Sequence, residues 1–557
     1  MSPQRLLAHF EQIGEAPDAV PRLRQFILDL AVRGKLVEQD PKDEPADELL
    51  RRIADEKKRL PKEGTIKEPK TLSPVNLKEI PYAVPVNWCW SRLGESIKNH
   101  LGGGTPSKNN ADYWDGDVFW ASVKDIGKTK YVDQTIDRIT KAGLKDSSSN
   151  LIPPGNLIVV TRMGLGKVSI NRVPLAINQD LRALFLSSLA AIDYYYIFFK
   201  TASYEGTGLT VKGIKVDELL NIPFPLPPLA EQHHIVAKVD ELMKLCDELE
   251  VTQAKRERRR DRLVAATLHG LNNGVKDEDS NEYLSFDESA RFYFNHLPRF
   301  TTRLEHIQQL RQTILNLAVR GKLVPQDPKD EPVENPHLEG KGKRLQPISA
   351  KEVPFGLPES WIWSRMGGYA ELINGDRGKN YPNRNEYVPS GLPFINTGHI
   401  RPNGTLSLSS MHYLTRPKYD SLRSGKINSG DLVYCLRGAT IGKTAIIEFE
   451  EGAIASSLVI IRVDKRLYNR YVYFYLVGSL GRSLIKRFDN GTAQPNLSAD
   501  SVKQYVIPIP PLAEQHRIVA KVDDLMKLCD KLEAGITMNT TTRRRLLEAT
   551  LQEALAS

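Results

Sequence analysis

The sequence PPLAEQHHIVAKVDELMKLCDELE, at Pro227–Glu250, occurs a second time as PPLAEQHRIVAKVDDLMKLCDKLE, at Pro510–Glu533. The two copies are identical at 21 of 24 positions. A segment repeated with so few changes is one structural unit used twice, because two unrelated surface helices would not stay nearly identical. We therefore expect the whole chain to be organised around this duplicated element.

The spacing of apolar residues in both copies predicts a long α-helix with one apolar seam. Successive seam positions are four and three residues apart, which is the pattern of a coiled coil. After Gln253 the seam weakens, and we expect it to resume at Leu263 and Thr267 and, in the second copy, at Leu546 and Thr550. The predicted spacer and partner-binding positions are Ile235, Val239, Leu242, Cys246 and Leu249 in the first copy and Ile518, Val522, Leu525, Cys529 and Leu532 in the second.

A second repeated segment extends the duplication over the whole chain. LRQFILDLAVRGKLVEQDPKDEP at Leu23–Pro45 returns as LRQTILNLAVRGKLVPQDPKDEP at Leu310–Pro332, with 20 of 23 positions identical. The apolar residues of each copy form one helical stripe, and Gly34 is placed to end the first helix as a C-cap. Each half of the chain therefore holds one copy of each helical segment.

Between the repeated helices the two halves share a plan but little sequence. Each variable region opens with a Trp-x-Trp-Ser-Arg segment, at Trp88–Arg92 and Trp361–Arg365, whose alternation indicates a strand with one buried face. Further strands, a glycine-rich basic loop and an aromatic helix follow in both. The sequence predicts an α+β fold, a tandem pseudo-twofold duplication in which two mixed α/β domains are separated by two long antiparallel helices like those of a coiled coil. The helices have changed little, whereas the variable regions have diverged, which favours two regions that contact different targets.

Loops in the variable regions carry the residues that suit DNA. Small residues let the backbone approach a duplex, Arg and Lys hold phosphates or read guanine, and Asn reads adenine. Such loops follow each Trp-x-Trp strand, at Gly102–Trp114 and Asn374–Tyr387. The candidate DNA-binding residues are Gly103, Thr105, Ser107, Lys108, Arg162, Lys167, Lys212, Arg377, Lys379, Asn380, Arg437, Lys443, Gln494 and Asn496.

Composition agrees with this interpretation and excludes several other classes. The net charge of +9 permits a polyanionic partner. The 4 cysteines form no CxxC pair and no zinc pattern, which indicates a reducing compartment and no metal site. The most apolar stretch, 181–199, contains Arg182 and Asp193, so no membrane segment is predicted. The N-terminus lacks the apolar core of a signal peptide, and we expect a cytoplasmic protein without catalytic residues.

One segment resembles an enzyme motif and supports an alternative. GATIGKT at Gly438–Thr444 is similar to a phosphate-binding loop, which would make the chain a nucleotide-dependent enzyme. Such a loop needs four residues between its glycines and a helix after it, whereas this one has three and is followed by a strand-like segment. A DNA contact and a simple tight hairpin are the other interpretations. A charged helix at 44–62 has no counterpart in the second half, and we expect it to be solvated and available to a partner.

Taken together, these features resemble the specificity subunit of a type I restriction–modification enzyme over essentially the full chain. The resemblance rests on the PPLAEQ segments at Pro227 and Pro510, the LAVRGKLV segments at Leu30 and Leu317, the Trp-x-Trp openings, and the GGTPS loop at Gly103. It implies two target recognition domains, each reading half of a split DNA sequence. On this basis the chain divides into a helical region with a charged linker (1–79), recognition domain 1 (80–226), a central helix and linker (227–352), recognition domain 2 (353–508) and a C-terminal helix (509–557).

The resemblance also implies the partners. Besides double-stranded DNA, two modification subunits would use S-adenosylmethionine to methylate adenine, and restriction subunits would use ATP and Mg to translocate and cleave DNA. No cofactor is expected in this chain itself. A structural adaptor that binds protein rather than DNA is the remaining alternative, and its binding would depend little on salt.

Overall fold

The computed structural model of this chain describes residues 14–16, 18–59, 72–201, 213–273, 275–276, 283–284, 286–333, 345–489 and 496–556. The chain forms two compact units. Unit 1 comprises Met1–Lys255 with Thr540–Ser557, and unit 2 comprises Arg256–Asn539. The bounds of the five predicted domains stay predictions.

The helices of the described residues fall into short elements within the units and two much longer ones. They are α1 (Ala19–Val32), α2 (Ala46–Arg59), α3 (Leu93–Ser96), α4 (Lys141–Lys145), α5 (Ile192–Thr201), α6 (Val216–Leu220), α7 (Leu229–Asn273), α8 (Phe286–Phe300), α9 (Leu304–Ala318), α10 (Arg416–Ser421), α11 (Asn469–Val477), α12 (Ser479–Phe488), α13 (Ala499–Lys503) and α14 (Leu512–Ala556).

The strands of unit 1 are β1 (Cys89–Arg92), β2 (Ile97–Gly102), β3 (Trp114–Ala121), β4 (Tyr131–Val132), β5 (Asp137–Ile139), β6 (Leu151–Ile152), β7 (Leu157–Val160), β8 (Val168–Asn171), β9 (Leu175–Ile177), β10 (Leu181–Leu186) and β11 (Pro223–Leu226). Those of unit 2 are β12 (Val275–Lys276), β13 (Tyr283–Leu284), β14 (Ile362–Arg365), β15 (Ala370–Asn374), β16 (Leu392–Ile395), β17 (His412–Leu414), β18 (Leu432–Cys435), β19 (Thr444–Ile446), β20 (Ala453–Ile454), β21 (Leu458–Val463) and β22 (Val506–Ile509).

Each unit contains one mixed α/β domain built on the same sheet order. In unit 1 the strands run β2-β10-β7-β8-β4, and in unit 2 they run β15-β21-β18-β19, with antiparallel pairing between the first four strands of each. A second sheet, β5-β3-β9-β6 in unit 1 and β17-β16-β20 in unit 2, completes each domain. The predicted duplicated α+β plan is confirmed.

The Trp-x-Trp segment pairs with the strand that leads into the long helix. In unit 1, β1 runs antiparallel to β11, and in unit 2, β14 runs antiparallel to β22. Trp88 and Trp361 are buried, whereas Trp90 and Trp363 are only partly buried, so the strands are present but the predicted single buried face is not. Each mixed domain therefore starts and finishes on one two-stranded ribbon, next to the start of α7 or α14.

The long helices, α7 and α14, have 45 residues each, which corresponds to roughly 68 Å at the usual rise per residue. Helix α7 starts in unit 1 and its residues from Arg256 onward belong to unit 2. Helix α14 starts in unit 2 and its residues from Thr540 onward belong to unit 1. Each unit is thus built from the start of one long helix and the end of the other.

The first part of the predicted seam packs on the duplicated short helix of the same unit. Ile235, Val239 and Cys246 are buried in a cluster with Ile27 and Ala31 of α1. In unit 2, a larger cluster contains Ile518, Val522 and Cys529 of α14 together with Ile314 and Ala318 of α9. The remaining positions, Leu242, Leu249, Leu525 and Leu532, are partly buried at the edges of these clusters.

In the first copy, the predicted second part of the seam is wrong by one residue. Leu263 is exposed and Thr267 only partly buried, whereas Val264, Leu268 and Leu271 are buried. In the second copy Thr550 is buried as predicted, and Leu546 is partly buried beside the fully buried Leu547. A straight helix has 3.6 residues per turn, so a strict heptad pattern drifts around it and the buried face moves to the next position.

The charged helix was also predicted incorrectly as solvated. In α2, Ala46, Leu49 and Ile53 are completely buried. Lys57 Nζ donates to the carbonyl oxygen of Gly94 at 2.5 Å, so a charged residue at the edge of α2 also contacts the mixed domain. Three apolar residues at helical spacing suffice to bury one face despite the charge around them. No helix among the described residues combines the length and the apolar composition that crossing a membrane requires.

Candidate nucleic-acid interface

In unit 1, the loop after β2 is held against the second sheet by its glycines. A side chain at Gly103 would meet the carbonyl oxygen of Ile177 at 1.8 Å, so only glycine fits. The carbonyl oxygen of Gly104 accepts hydrogen bonds from Trp120 Nε1 at 3.1 Å and from Ser149 Oγ at 2.6 Å. These contacts fix the backbone of the loop and leave the side chains of the next predicted residues, Ser107 and Lys108, exposed.

A turn at residues 178–180, which the sequence reasoning missed, connects the predicted loops of unit 1. Thr105 Oγ1 donates to Gln179 Oε1 at 2.5 Å. Arg162 Nη1 lies 3.8 Å from Asp180 Oδ1, and about half of the Arg162 side chain remains exposed. The turn joins strands of two different sheets, β9 and β10, and its Asn-Gln-Asp sequence is a turn signal that could have located it. Thr105 and Arg162, far apart in sequence, are brought to one place.

The second predicted loop of unit 1 is the tip of the β7–β8 hairpin. The backbone N–H of Val160 donates to the carbonyl oxygen of Lys167 at 3.0 Å, which closes the hairpin, and the Lys167 side chain is exposed. Between the two cationic residues stands Met163, 66% exposed with a φ of 60°. A left-handed backbone is costly for methionine, and such strain is concentrated at functional sites. The tip thus presents an exposed apolar side chain between two cations.

In unit 2, three predicted residues from three different loops line one cleft. Arg377, Arg437 and Asn496 border a cavity of about 220 Å³ together with Lys503 and Asp500. The residue backbones are also joined, since Arg437 and Asn496 form a β-bridge. Cations from two loops and an amide from a third therefore face the same space, as recognition of a phosphate or a base edge requires.

The loop before this cleft is shaped by a buried carboxylate that the sequence reasoning did not identify. Asp376 accepts hydrogen bonds from the backbone N–H groups of Gly378 and Arg423, both at 2.7 Å, and these bonds lower its pKa. Asn380 Nδ2 donates to the carbonyl oxygen of Ser421 at 2.6 Å, so part of its amide is already used. Lys379, at the tip, is exposed.

Arg162 and Arg437 occupy equivalent positions in the two units. Each follows a central strand, β7 or β18, and each is bridged to the segment that precedes a short helix, through Gly213 in unit 1 and Asn496 in unit 2. The neighbouring backbone bonds match, at 2.9 Å from Ile214 N to the Thr161 oxygen and 2.9 Å from Leu497 N to the Leu436 oxygen. The glycine-rich basic loop that the sequence predicts in both halves therefore occupies the same place in the two domains.

The segment at 438–444 is a hairpin loop and lacks the context of a nucleotide site. The backbone N–H of Cys435 donates to the carbonyl oxygen of Lys443 at 2.9 Å, and Thr444 begins strand β19, which pairs with β18. A phosphate-binding loop would lead into a helix N-terminus instead. Lys443 is partly buried on the same hairpin as Arg437.

Two predicted residues, Lys212 and Gln494, lie outside the described residues. DNA contact by the other candidates stays a prediction. Within the described parts of the chain, no group of three or more His, Cys, Asp or Glu residues is arranged to hold a metal ion.

A family model and several known proteins match most of this chain. A family model described as the type I restriction modification DNA specificity domain matches residues 85–257 and 358–539. The type I restriction enzyme EcoAI specificity subunit of Escherichia coli is 31% identical, with 96% of this chain and 94% of that protein aligned. The EcoEI specificity subunit of the same species is 30% identical over the same shares of both chains.

Two solved structures align with this chain at lower sequence identity than these relatives. A crystal structure of an HsdS subunit from Thermoanaerobacter tengcongensis aligns with 86% of this chain and 99% of its own, at 20% identity and a TM-score of 0.44. A chain from a type I R-M system studied for complex assembly and conformational transition aligns with 85% of this chain and 99% of its own, at 20% identity and a TM-score of 0.48.

Proposed function

Because this chain belongs to the type I restriction modification DNA specificity family, as a non-catalytic specificity subunit, we propose that it reads a bipartite, asymmetric DNA target through its two mixed domains. The observation that carries the proposal is the equivalence of Arg162 and Arg437 at the tips of two hairpins built in the same way. Each mixed domain would read one half-site, and we call them recognition domains 1 and 2.

The two recognition domains present different chemistry on the same frame, which supports an asymmetric target. Domain 1 offers a hairpin tip with Met163 between Arg162 and Lys167. Domain 2 offers a polar cleft bordered by Arg377 and Arg437. A homodimer presents the same surface twice and therefore reads a palindrome, whereas two unlike surfaces read two unlike half-sites.

In this proposal the long helices set the distance between the half-sites. Readers on one face of B-DNA sit about one helical turn, roughly 34 Å, or a multiple of it apart. Helices α7 and α14 have 45 residues each, and in the antiparallel arrangement that the proposal assumes they would be long enough to hold two readers at such a distance. The duplicated sequence of the helices would then serve the spacing, and the diverged sequence of the domains would serve the reading.

Catalysis in this proposal belongs to partner subunits. Two modification subunits would methylate adenine with S-adenosylmethionine, and restriction subunits would cleave DNA with ATP and Mg. The relatives are named as specificity subunits of restriction enzymes, which supports such partners. No cofactor is assigned to this chain.

A domain exchange tests the two-reader proposal. Replacing residues 88–225 with the corresponding domain of another family member should change one half of the methylated motif and leave the other half intact. Single-molecule sequencing of genomic DNA reads the motif directly, and deletion of the gene should remove it. A change in both halves, or in neither, would contradict the proposal.

The two alternatives have their own readouts. A nucleotide-dependent enzyme would hydrolyse ATP or GTP as the purified chain and lose that activity in Lys443→Ala, whereas we expect no hydrolysis by the wild-type chain. A protein-binding adaptor would bind its partner with little dependence on salt or DNA sequence. We expect DNA binding that weakens steeply as salt increases, because phosphate contacts release counterions.

A further inference from the structure

The duplicated PPLAEQH segment contains a buried carboxylate that joins three parts of unit 1. Glu231 lies in the first turn of α7, one helical turn before the seam residue Ile235, and it is only 2% exposed although it is an acidic residue. Its carboxylate accepts hydrogen bonds from Trp88 Nε1 at 2.8 Å and from Gln39 Nε2 at 3.1 Å. Trp88 opens recognition domain 1, and Gln39 follows α1. One side chain therefore links the recognition domain, the duplicated short segment and the long helix.

Unit 2 repeats the same arrangement with the equivalent residues. Glu514, in the first turn of α14, is 0% exposed. It accepts hydrogen bonds from Trp361 Nε1 at 3.0 Å and from Gln326 Nε2 at 2.9 Å. Burial raises the pKa of both carboxyl groups. We call each set of carboxylate, indole and amide a joint.

The glutamine that follows each glutamate strengthens the joint. Gln232 is fully buried; its Oε1 accepts from the backbone N–H of Ala191 and its Nε2 donates to the carbonyl oxygen of Pro227, both at 3.0 Å. Gln515 likewise accepts from the N–H of Tyr468 at 2.7 Å and donates to the carbonyl oxygen of Arg466 at 3.1 Å. In both units the helix start is thus bonded to the segment that leads into the aromatic helix, α5 or α11.

The joint restricts how each recognition domain is oriented on its helix. The chain enters and leaves the domain through one two-stranded ribbon, β1–β11 or β14–β22, and such a ribbon alone would allow the domain to tilt. A tilt would separate the carboxylate from the indole or from the amide, and a buried carboxylate without its donors is strongly disfavoured. The domain and the start of the helix are therefore held at one angle.

We propose that Glu231 and Glu514 are positioning residues that fix the angle of each recognition domain on its long helix and so decide which spacer length between half-sites is accepted. This inference rests on the proposed function. Targets that differ by one base pair of spacer differ by about 3.4 Å along the duplex and roughly 35° around it. Discrimination between such targets needs readers that cannot pivot. The shared hydrophobic cluster of each unit holds the domain against the helix, and the joint adds directional contacts that fix the angle.

The test uses the complete chain assembled with its modification subunits. Glu231→Gln and Glu514→Gln keep the size of the side chain. An amide has one accepting oxygen and one donating NH2 group, so only one of the two hydrogen bonds that the carboxylate accepts can still form. Methylation rates are measured on targets with the native spacer and with spacers one base pair shorter and longer. We expect the preference for the native spacer to fall by about tenfold in each variant, as for a lost buried hydrogen bond, and further in the double variant.

A matched control and a second readout separate positioning from general damage. Glu248→Gln changes an exposed carboxylate on the same helix and should leave the spacer preference unchanged. Discrimination against single-base changes within each half-site should also stay as in the wild type. If half-site discrimination is lost together with spacer preference, the joint maintains the fold of the domain and the inference is wrong.

Trp88→Phe and Trp361→Phe give the answer if the glutamate variants fail to assemble, because they remove one donor and keep an aromatic ring in place. An unchanged spacer preference in the assembled variants would overturn the inference. Failure of the wild-type complex to methylate any split target would instead contradict the proposed function.

Discussion

The Nζ atom of Lys35 lies 2.8 Å from the carbonyl oxygen of Leu555, although 520 residues separate them in sequence. Leu555 is in the last turn of α14, so the lysine caps the carbonyl end of that helix. The duplicated lysine does the same in unit 2, where Lys322 Nζ lies 3.5 Å from the carbonyl oxygen of Asn272, in the last turn of α7. The RGKL segment of each repeat therefore binds the end of a long helix.

Loss of this cap should destabilise each unit modestly. A cation at a helix C-terminus interacts favourably with the helix dipole, so Lys35→Ala should lower the free energy of unfolding by about 0.5–1 kcal/mol. Lys322→Ala should lower it by less, because the carbonyl oxygen of Asn272 also accepts a hydrogen bond from Arg320 at 2.8 Å and would keep it. Chemical denaturation provides the measurement. Lys42→Ala, an exposed lysine of the same repeat, is the control and should change the stability little.

Replacement of Gly34 should be more costly than replacement of a glycine in open space. Gly34 has a φ of 68°, and a side chain there would meet Pro85 Cδ at 2.5 Å. Gly34→Ala combines an unfavourable backbone with a clash and should cost about 2–3 kcal/mol or more. Gly155 has a φ of 79° with nothing within 4 Å, so Gly155→Ala should cost only about 1 kcal/mol. Equal losses of stability in the two variants would show that Pro85 moves aside without cost.

Arg437→Ala should weaken recognition of one half-site only. An arginine that reads a base contributes about 1–3 kcal/mol of discrimination at that position. Loss of an arginine that holds a phosphate instead reduces the slope of log binding constant against log salt concentration by about one. The chain with its modification subunits is titrated with DNA variants of each half-site at several salt concentrations. Arg162→Ala should give the corresponding loss at the other half-site. Arg416→Ala is the control in unit 2, since that guanidinium is paired with Glu451 at 2.5 Å; an equal loss in that variant would argue against a specific role for Arg437.

Unit 2 should lose stability on acidification through Glu352. Hydrogen bonds from Arg365 lower the pKa of Glu352 to about 2, from 4.5 in the unfolded chain. Its stabilising contribution is therefore present above pH 4.5 and is lost as the pH falls toward 2. Between pH 7 and pH 3 the wild type should lose about 2 kcal/mol through this group, and Glu352→Gln should not.

The equivalent pair in unit 1 provides a comparison for that pH experiment. Hydrogen bonds from the backbone N–H of Asn76 at 2.8 Å and from Arg92 at 2.6 Å also lower the pKa of Glu79, but the Glu79 side chain is 44% exposed. Solvent weakens such a pair, so Glu79→Gln should change the acid dependence less than Glu352→Gln. Equal pH dependence of unfolding in wild type and Glu352→Gln would contradict the assignment to Glu352.

Sequence periodicity predicted the elements whose stability is local or duplicated. The Schellman-type end of α1 at Gly34 follows from the glycine itself, and Lys35 N donates to the carbonyl oxygen of Leu30 at 3.0 Å. The strands at the Trp-x-Trp segments, the buried cysteines of the seam and the aromatic helices were also predictable, because a 2-residue or 3.6-residue pattern indicates the type of element. Which residues of the later seam are buried was not predictable, because the small difference between 3.5 and 3.6 residues per turn accumulates along a helix of 45 residues.

By itself, the sequence determined that this protein is a tandem duplication with two long helices and two diverged mixed domains, since repeats and hydrophobic periods are properties of the chain. Tertiary structure alone decided which distant groups meet. The cleft formed by Arg377, Arg437 and Asn496 joins three loops. The joint of unit 1 buries the carboxylate of Glu231, and a pattern of apolar residues does not predict where an acidic side chain finds its donors. Such contacts depend on how sheets and helices pack in three dimensions. The spacing of residues along the chain does not predict that packing.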